Sequence, residues 1–345
     1  MDSQRVVIYS RAEELPERLL EGSFFHSRDF FVLSEQTPRL KPYMIVVHDN
    51  DDSVRAQMIA LVRYKSSWFP PYLYIHCRIL GEGIYRDNDK EPLFGTMLNK
   101  LTERLGSRMF YIEVSNLPQK MFAYGELRRQ GYFPVRWMSI HNSLHSRQPE
   151  ERVTPQTAHK IEVARQRGLQ AKEVETDEEF RQYMKLLRSY HWLKPKRYIP
   201  HDDFFKGVQK SGNGRLYITT YRGHVVGCSA VVYSHDTTGT HTDKSHSTQP
   251  EQHDFHNNAY LWYAAFRRKS FAFLHPDVHT LWYAIKHSHQ LGYDHIVFLD
   301  VGLPFKKNHF RDFILRFGGK PMSTYRWFRF SIKPLNSLLS WIYRD

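Results

Sequence analysis

Asp300 closes the apolar run HIVFLD and is followed by Val301 and Gly302. A carboxylate at the end of an interior strand projects from the sheet's C-terminal edge. With a raised pKa it would accept a proton from an incoming nucleophile. The competing use of Asp300 is to cap the next turn. Tyr263, in the run YLWYAAF, and His275, in FLHPD, are candidates to relay that proton. Their ordinary alternatives are a buried aromatic and a loop histidine. Between them lies RRKSFAFLHPD (Arg267 to Asp277), which leads from a strand into a helix. The N–H groups and positive end of that helix favour an anion. Arg267, Arg268 and Lys269, with Ser270 beside them, have the reach for a phosphate; a solvated basic turn is the alternative. Trp192, Lys196 and Arg197, in YHWLKPKRYIP, make a basic aromatic loop that suits an anionic small molecule or simply water.

Other chemistries lack their residues. The chain has no G-x-S-x-G, H-E-x-x-H, G-x-x-x-x-G-K-[ST] or paired C-x-x-C. SGNGR contains G-x-G, but it precedes a strand instead of joining strand to helix. His287 and His289 stand two apart on a helical stretch and point to different faces. Cys77 and Cys228 fall in strands, where a thiol is more often core than nucleophile.

The elements that must position these residues follow one grammar in the second half. LYITTY and VVGCSAVVY flank Gly223 as a hairpin, and YLWYAAF is a third strand. Val278, Leu281, Trp282 and Ile285 mark a helical face opened by Pro276-Asp277 and closed by Gly292. HIVFLD is a fourth strand, a short helix covers 310–317, and TYRWFRF is the last strand. A helix carried by Phe180, Tyr183, Leu187 and Tyr190 comes before them. The first half repeats the order with Met58–Tyr64, Leu73–Cys77, a helix over Pro92–Arg104, Met109–Val114 and Val135–His141. The expected fold is α/β (α+β), with two tandem domains, each a mixed, mostly antiparallel sheet flanked by helices. The charged, proline-bearing stretch HSRQPEERVTPQT places the boundary near 150, giving domains 1–150 and 151–345.

The halves also match in register. Glu113 and Asp300 stand 187 positions apart, as do Gly131 and Gly318, and Pro134 and Pro321. Several matches in one order suggest duplication; two domains that converged on the same strand–helix grammar are the alternative. One segment, 234–258, breaks the pattern with five histidines and a single large apolar residue, Phe255. Its histidine spacings fit no zinc pattern, so it reads as a mobile loop. In the tail 331–345, Leu335, Leu338, Leu339 and Ile342 share a helical face, suited to a membrane surface or to docking on the other domain.

Forty-nine Lys and Arg against 36 Asp and Glu leave a formal charge of +13, which favours anionic partners. Aromatic residues are 15% of the chain and apolar residues 41%, enough for a packed core. Two cysteines exclude a disulfide scaffold. No apolar stretch reaches the length of a signal peptide or a spanning helix. The expectation is a cytoplasmic protein, with peripheral contact at the inner face of a membrane left open.

The run from Leu216 to Arg326 resembles the GNAT acyltransferase superfamily, and in particular its duplicated FemABX-like branch. YLWYAAF, DVHTLWYAIKHSHQLGYD, HIVFLDVG and FRDFILRFGGKP follow that family's strand, helix, strand and F-G-x-x-P order. The resemblance implies N-acyl transfer from a thioester, acyl-CoA or an acyl carrier protein, to an amine on a small molecule or lipid-linked precursor. Acyl-CoA would be a co-substrate, with no permanently bound cofactor and no metal. It implies that donor phosphates meet Arg267–Ser270. Glu113, at the place in the first half that matches Asp300, is a candidate with Asn116 and Arg136 to line the acceptor side. Two features depart from it. No glycine occurs between Gly239 and Gly292, where classical GNAT enzymes carry a glycine-rich phosphate loop. The lysine of the F-K-x-x-F-G motif of tRNA-dependent members is Ile314 here, with Arg311, Lys306 or Lys307 as substitute charges. Transfer from an aminoacyl-tRNA to a cell-wall precursor, and a binding protein that has lost catalysis, are the alternatives.

Overall fold

The computed structural model describes residues 5–64, 75–117, 119–192, 198–235 and 257–343. Lys196, Arg197 and most of the histidine-rich segment lie outside them. By packing, the chain forms two units. Unit 1 comprises Met1–Trp137, His235–His256 and Ser323–Asp345; unit 2 comprises Met138–Ser234 and Asn257–Met322. The division at Trp137/Met138 falls a little ahead of the linker near 150, and the last strand and C-terminal helix group with unit 1.

Unit 1 begins with β1 (Arg5–Tyr9), α1 (Arg28–Gln36), β2 (Leu40–His48), β3 (Val54–Tyr64), β4 (Ile75–Leu80) and the two-residue β5 (Ile84–Tyr85). Next come α2 (Lys90–Leu105), β6 (Tyr111–Ser115), α3 (Tyr124–Arg129) and the start of β7 (Phe133–Ser143). β1, β2, β3 and β4 pair antiparallel in sequence, and β4 pairs β6 in parallel. β2 and β3 are nearly continuous apolar runs because both faces are covered. Helix α2 presents Leu93, Phe94, Met97, Leu98 and Leu101 to one of those faces. Each such side chain contributes on the order of 1.5–3 kcal/mol on full burial.

Unit 2 holds the rest of β7, then α4 (Pro155–Gln166), β8 (Gln170–Glu173), α5 (Asp177–His191), α6 (Asp202–Lys210), β9 (Gly214–Tyr221) and β10 (His224–His235). It continues with β11 (Asn257–Phe266), α7 (Pro276–Gln290), β12 (His295–Phe298) and α8 (His309–Leu315). Its strand order is β7-β12-β11-β10-β9-β8. A capping box between Thr176 and Glu179 starts α5, whose Phe180, Tyr183 and Leu187 enter the core. Helix α7 closes on the sheet at Gly227, where a Cβ would stand 2.0 Å from the Thr280 hydroxyl.

The last strand of each half leaves its own half. β7 pairs β12 antiparallel, Phe298 opposite Ile140, inside unit 2. β13 (Lys320–Phe330) pairs β6, Trp327 opposite Val114, inside unit 1. Trp327 is fully buried in the unit 1 core. The 187-residue offset holds where Gly131 (φ 80°) and Gly318 (φ 89°) take left-handed turns just before β7 and β13. It fails at Glu113, which lies within β6, whereas Asp300 follows the end of β12.

Candidate active site

In unit 2, β11 and β12 run parallel from Asn258 opposite His295 to Leu261 opposite Phe298. There β12 ends, while β11 continues to Phe266, so the two strands part. A cleft of about 200 Å³ lies at this divergence, lined by Tyr190, His191, Leu261–Ala264, Phe266, Phe298–Asp300, Asn308 and Phe310. In unit 1 the equivalent pair, β4 and β6, stays in register from His76–Tyr111 to Leu80–Ser115, along the full length of β6.

Asp300 and Tyr263 therefore line one cavity. The loop that carries Asp300 is held by two side chains. Asn308 donates to the Val301 carbonyl at 2.9 Å while its Oδ1 caps α8 at Phe310 and Arg311. Arg311 donates to the carbonyls of Leu303 (2.7 Å) and Lys306 (2.9 Å). Arg311 thus shapes the loop. Gly302, at φ 85°, is packed so closely that a Cβ would meet Asn308 Nδ2 at 2.6 Å. The Tyr263 hydroxyl donates to the Tyr198 carbonyl at 3.0 Å. Tyr190 packs edge-on against both His191 and Phe266.

His275 is elsewhere. It caps α7 in the left-handed region (φ 51°) and lines a second cavity of about 140 Å³ with Thr157, Lys160, Arg268, Asp277, Phe313 and Arg316. Partial burial and then the neighbouring Lys160 hold its pKa below the ordinary value. Of the four residues assigned to donor phosphates, only Arg268 lines this cavity; Arg267, Lys269 and Ser270 point into solvent. Arg268 is paired with Asp277 at 2.9 Å and lies over the Phe313 ring. The helix end itself is a weak anion site, because Pro276 has no N–H and Asp277 supplies a carboxylate to the first turn. Ile314, at the position of the family lysine, is fully buried in the unit 2 core.

The acceptor-side candidates lie in unit 1. Glu113 on β6 is 3.3 Å from Arg78 and 3.6 Å from Arg326, and Arg326 stacks on Trp137 at 3.9 Å. Tyr111, stacked on His76, is raised to about 12, first by burial and then by Glu113. Arg136 is exposed, and Asn116 (φ 60°) turns the chain out of β6. Trp192 is 83% exposed at the end of α5. Sequence reasoning missed Tyr190, His191, Asn308 and Phe310 as lining residues. YHW carried the signal for the first two, but the basic residues after it drew the reading.

No family model and no curated protein matches the sequence. Solved structures do. FemX superposes with a TM-score of 0.61 at 11% identity, over 93% of this chain and 95% of that one. L-PGS from Bacillus licheniformis gives 0.54 at 9%, over 91% and 92%. Saccharomyces cerevisiae N-myristoyltransferase with bound myristoyl-CoA gives 0.52 at 11%, over 94% and 78%. The likeness is one of fold: the chain has the GNAT-like α/β fold that these structures share.

Proposed function

We propose that this chain is an N-acyltransferase whose chemistry takes place in the unit 2 cleft. The observation that carries the reading is the parting of β11 and β12 after Leu261 and Phe298, with Asp300 at the mouth it opens. A thioester donor lies along that divergence. The amine attacks the carbonyl carbon, a C–N bond forms, and the C–S bond breaks with the electron pair leaving on sulfur. Asp300, directly or through water, takes the proton from nitrogen. Amide N–H groups of β11 beyond its last pairing with β12 serve the developing oxyanion. No covalent enzyme intermediate is needed, and the buried thiols suit none: burial pushes the Cys228 thiol well up and Cys77 up to about 12.

Acyl-CoA is the donor this reading favours. The same fold in N-myristoyltransferase holds myristoyl-CoA, and Lys160, Arg268 and Arg316 surround the second cavity. Against an aminoacyl-tRNA donor stands the burial of Ile314. The test is calorimetric titration with acetyl-CoA, a long-chain acyl-CoA and an aminoacyl-tRNA, followed by thiol release in the presence of amines. Saturable acyl-CoA binding weakened by Arg268→Glu but not by Arg267→Glu supports the reading. Absence of binding at millimolar ligand removes CoA as donor, and binding without turnover on any amine leaves a non-catalytic binding protein.

A further inference from the structure

Helix α9 (Lys333–Ile342) is turned the wrong way for a helix that serves the core. It is fixed to unit 1 by its polar side. Asn336 donates to the Gly131 carbonyl at 3.0 Å and accepts from the Phe330 amide at 2.8 Å. Tyr343, seven residues on and so on the same side, stacks on Phe133. The opposite face carries Leu338, Trp341 and Ile342 at i, i+3 and i+4, exposed by 54%, 69% and 54%. No residue of α9 is buried, and Ile332 just before it is also exposed. Three large apolar side chains in one exposed row do not occur by chance of composition; such a patch marks an interaction surface.

The charges around the row identify what it meets. Helix α9 has no acidic residue. Lys333 opens it, Arg329 reaches the Gln130 carbonyl beside it, and Arg128 and Arg129 end α3 just before Gly131. Arg108 is exposed on the segment whose Phe110 carbonyl accepts from the Ser331 amide. Among the described residues of these segments Glu126 is the carboxylate, and it is paired with Arg129 at 2.9 Å. An apolar row with tryptophan, on a helix whose neighbouring segments carry mostly cations, matches the headgroup–acyl boundary of an anionic bilayer. We propose that α9 seats the protein on an anionic membrane surface, with Leu338, Trp341 and Ile342 inserted among the lipids. This holds whatever the unit 2 cleft transfers. No described helix is long and apolar enough to cross a membrane, so the contact is peripheral.

The test is sedimentation of the full chain with vesicles of equal parts phosphatidylglycerol and phosphatidylcholine, against pure phosphatidylcholine. The expected result is binding to the anionic vesicles that weakens with added salt and falls about tenfold or more in the Leu338→Ser/Trp341→Ser/Ile342→Ser variant. Because those side chains are exposed, the variant should keep the melting curve of the parent. Trp341→Phe, which preserves the surface, should remove most of the fluorescence quenching by brominated acyl chains. No binding to anionic vesicles at low salt, or equal binding by the triple variant, overturns the proposal. So does a lipid-free dimer that the triple variant converts to monomer, since a second copy would then cover the row.

Discussion

Arg268 Nε stands 2.9 Å from a carboxylate oxygen of Asp277, in the first turn of α7. The cation best placed for a donor phosphate is already answered by an acid on the helix that would bind that phosphate. Relieving this pairing should therefore strengthen donor binding. Asp277→Asn is expected to tighten acyl-CoA about two- to fivefold, the scale of one partly exposed ion pair. Arg268→Glu should weaken it about tenfold, both read as Kd by calorimetry. An Asp277→Asn variant that binds more weakly would mean the donor's phosphates lie elsewhere.

Asp300 gives the sharpest catalytic test. Asp300→Asn keeps the size and removes the base, so turnover should fall by about 10²–10⁴ with KM little changed. Asp300→Glu should retain part of the activity. If both variants turn over at the parent rate, Asp300 caps its loop and nothing more.

One buried and one half-buried histidine predict loss of stability in acid. His26 in unit 1 accepts from the Ile59 amide, and burial pulls its pKa down to about 3; burial pulls His141 in unit 2 to about 4. Their ordinary value is 6.5, so the unfolded chain takes up the proton first. The stability tied to each neutral ring is complete above about pH 6.5 and is lost as pH falls toward the folded pKa, by up to about 1.4 kcal/mol per unit per histidine. Denaturant midpoints measured at pH 7 and pH 5 should show the drop, and His26→Gln should flatten it for unit 1.

Trp327 should behave as a core residue of unit 1 despite its late place in the chain. Trp327→Ala is expected to cost about 3–5 kcal/mol. In chemical unfolding, the transition of unit 1 should shift while that of unit 2 stays in place.

Much of this fold was readable because periodicity and punctuation agreed. Pro276-Asp277 and Gly292 bracket α7 as expected, and YLWYAAF and TYRWFRF are strands. β2 escaped notice since Pro42 interrupts it; β1 pairs only Met44–His48, so Pro42 lies past the ladder that would need its N–H. The exchange of β7 and β13 was not legible, because an interior strand has the same apolar pattern whichever sheet receives it. At the site, Asp300 and Tyr263 were visible as a strand end and an inward position on β11. The pairing of Arg268 with Asp277 was written only in three dimensions, and the RRK run looked like three equivalent cations although one alone lines the cavity beside His275.

The late arrival of β13 has a consequence for biosynthesis. As the polypeptide leaves the ribosome, β6 is complete some two hundred residues before the strand that covers its flank. Until residues 323–330 emerge, that flank is an open edge able to recruit a stray strand. Unit 1 thus cannot finish folding during its own synthesis. A truncation ahead of β13 would therefore cripple a unit whose other strands had been made long before.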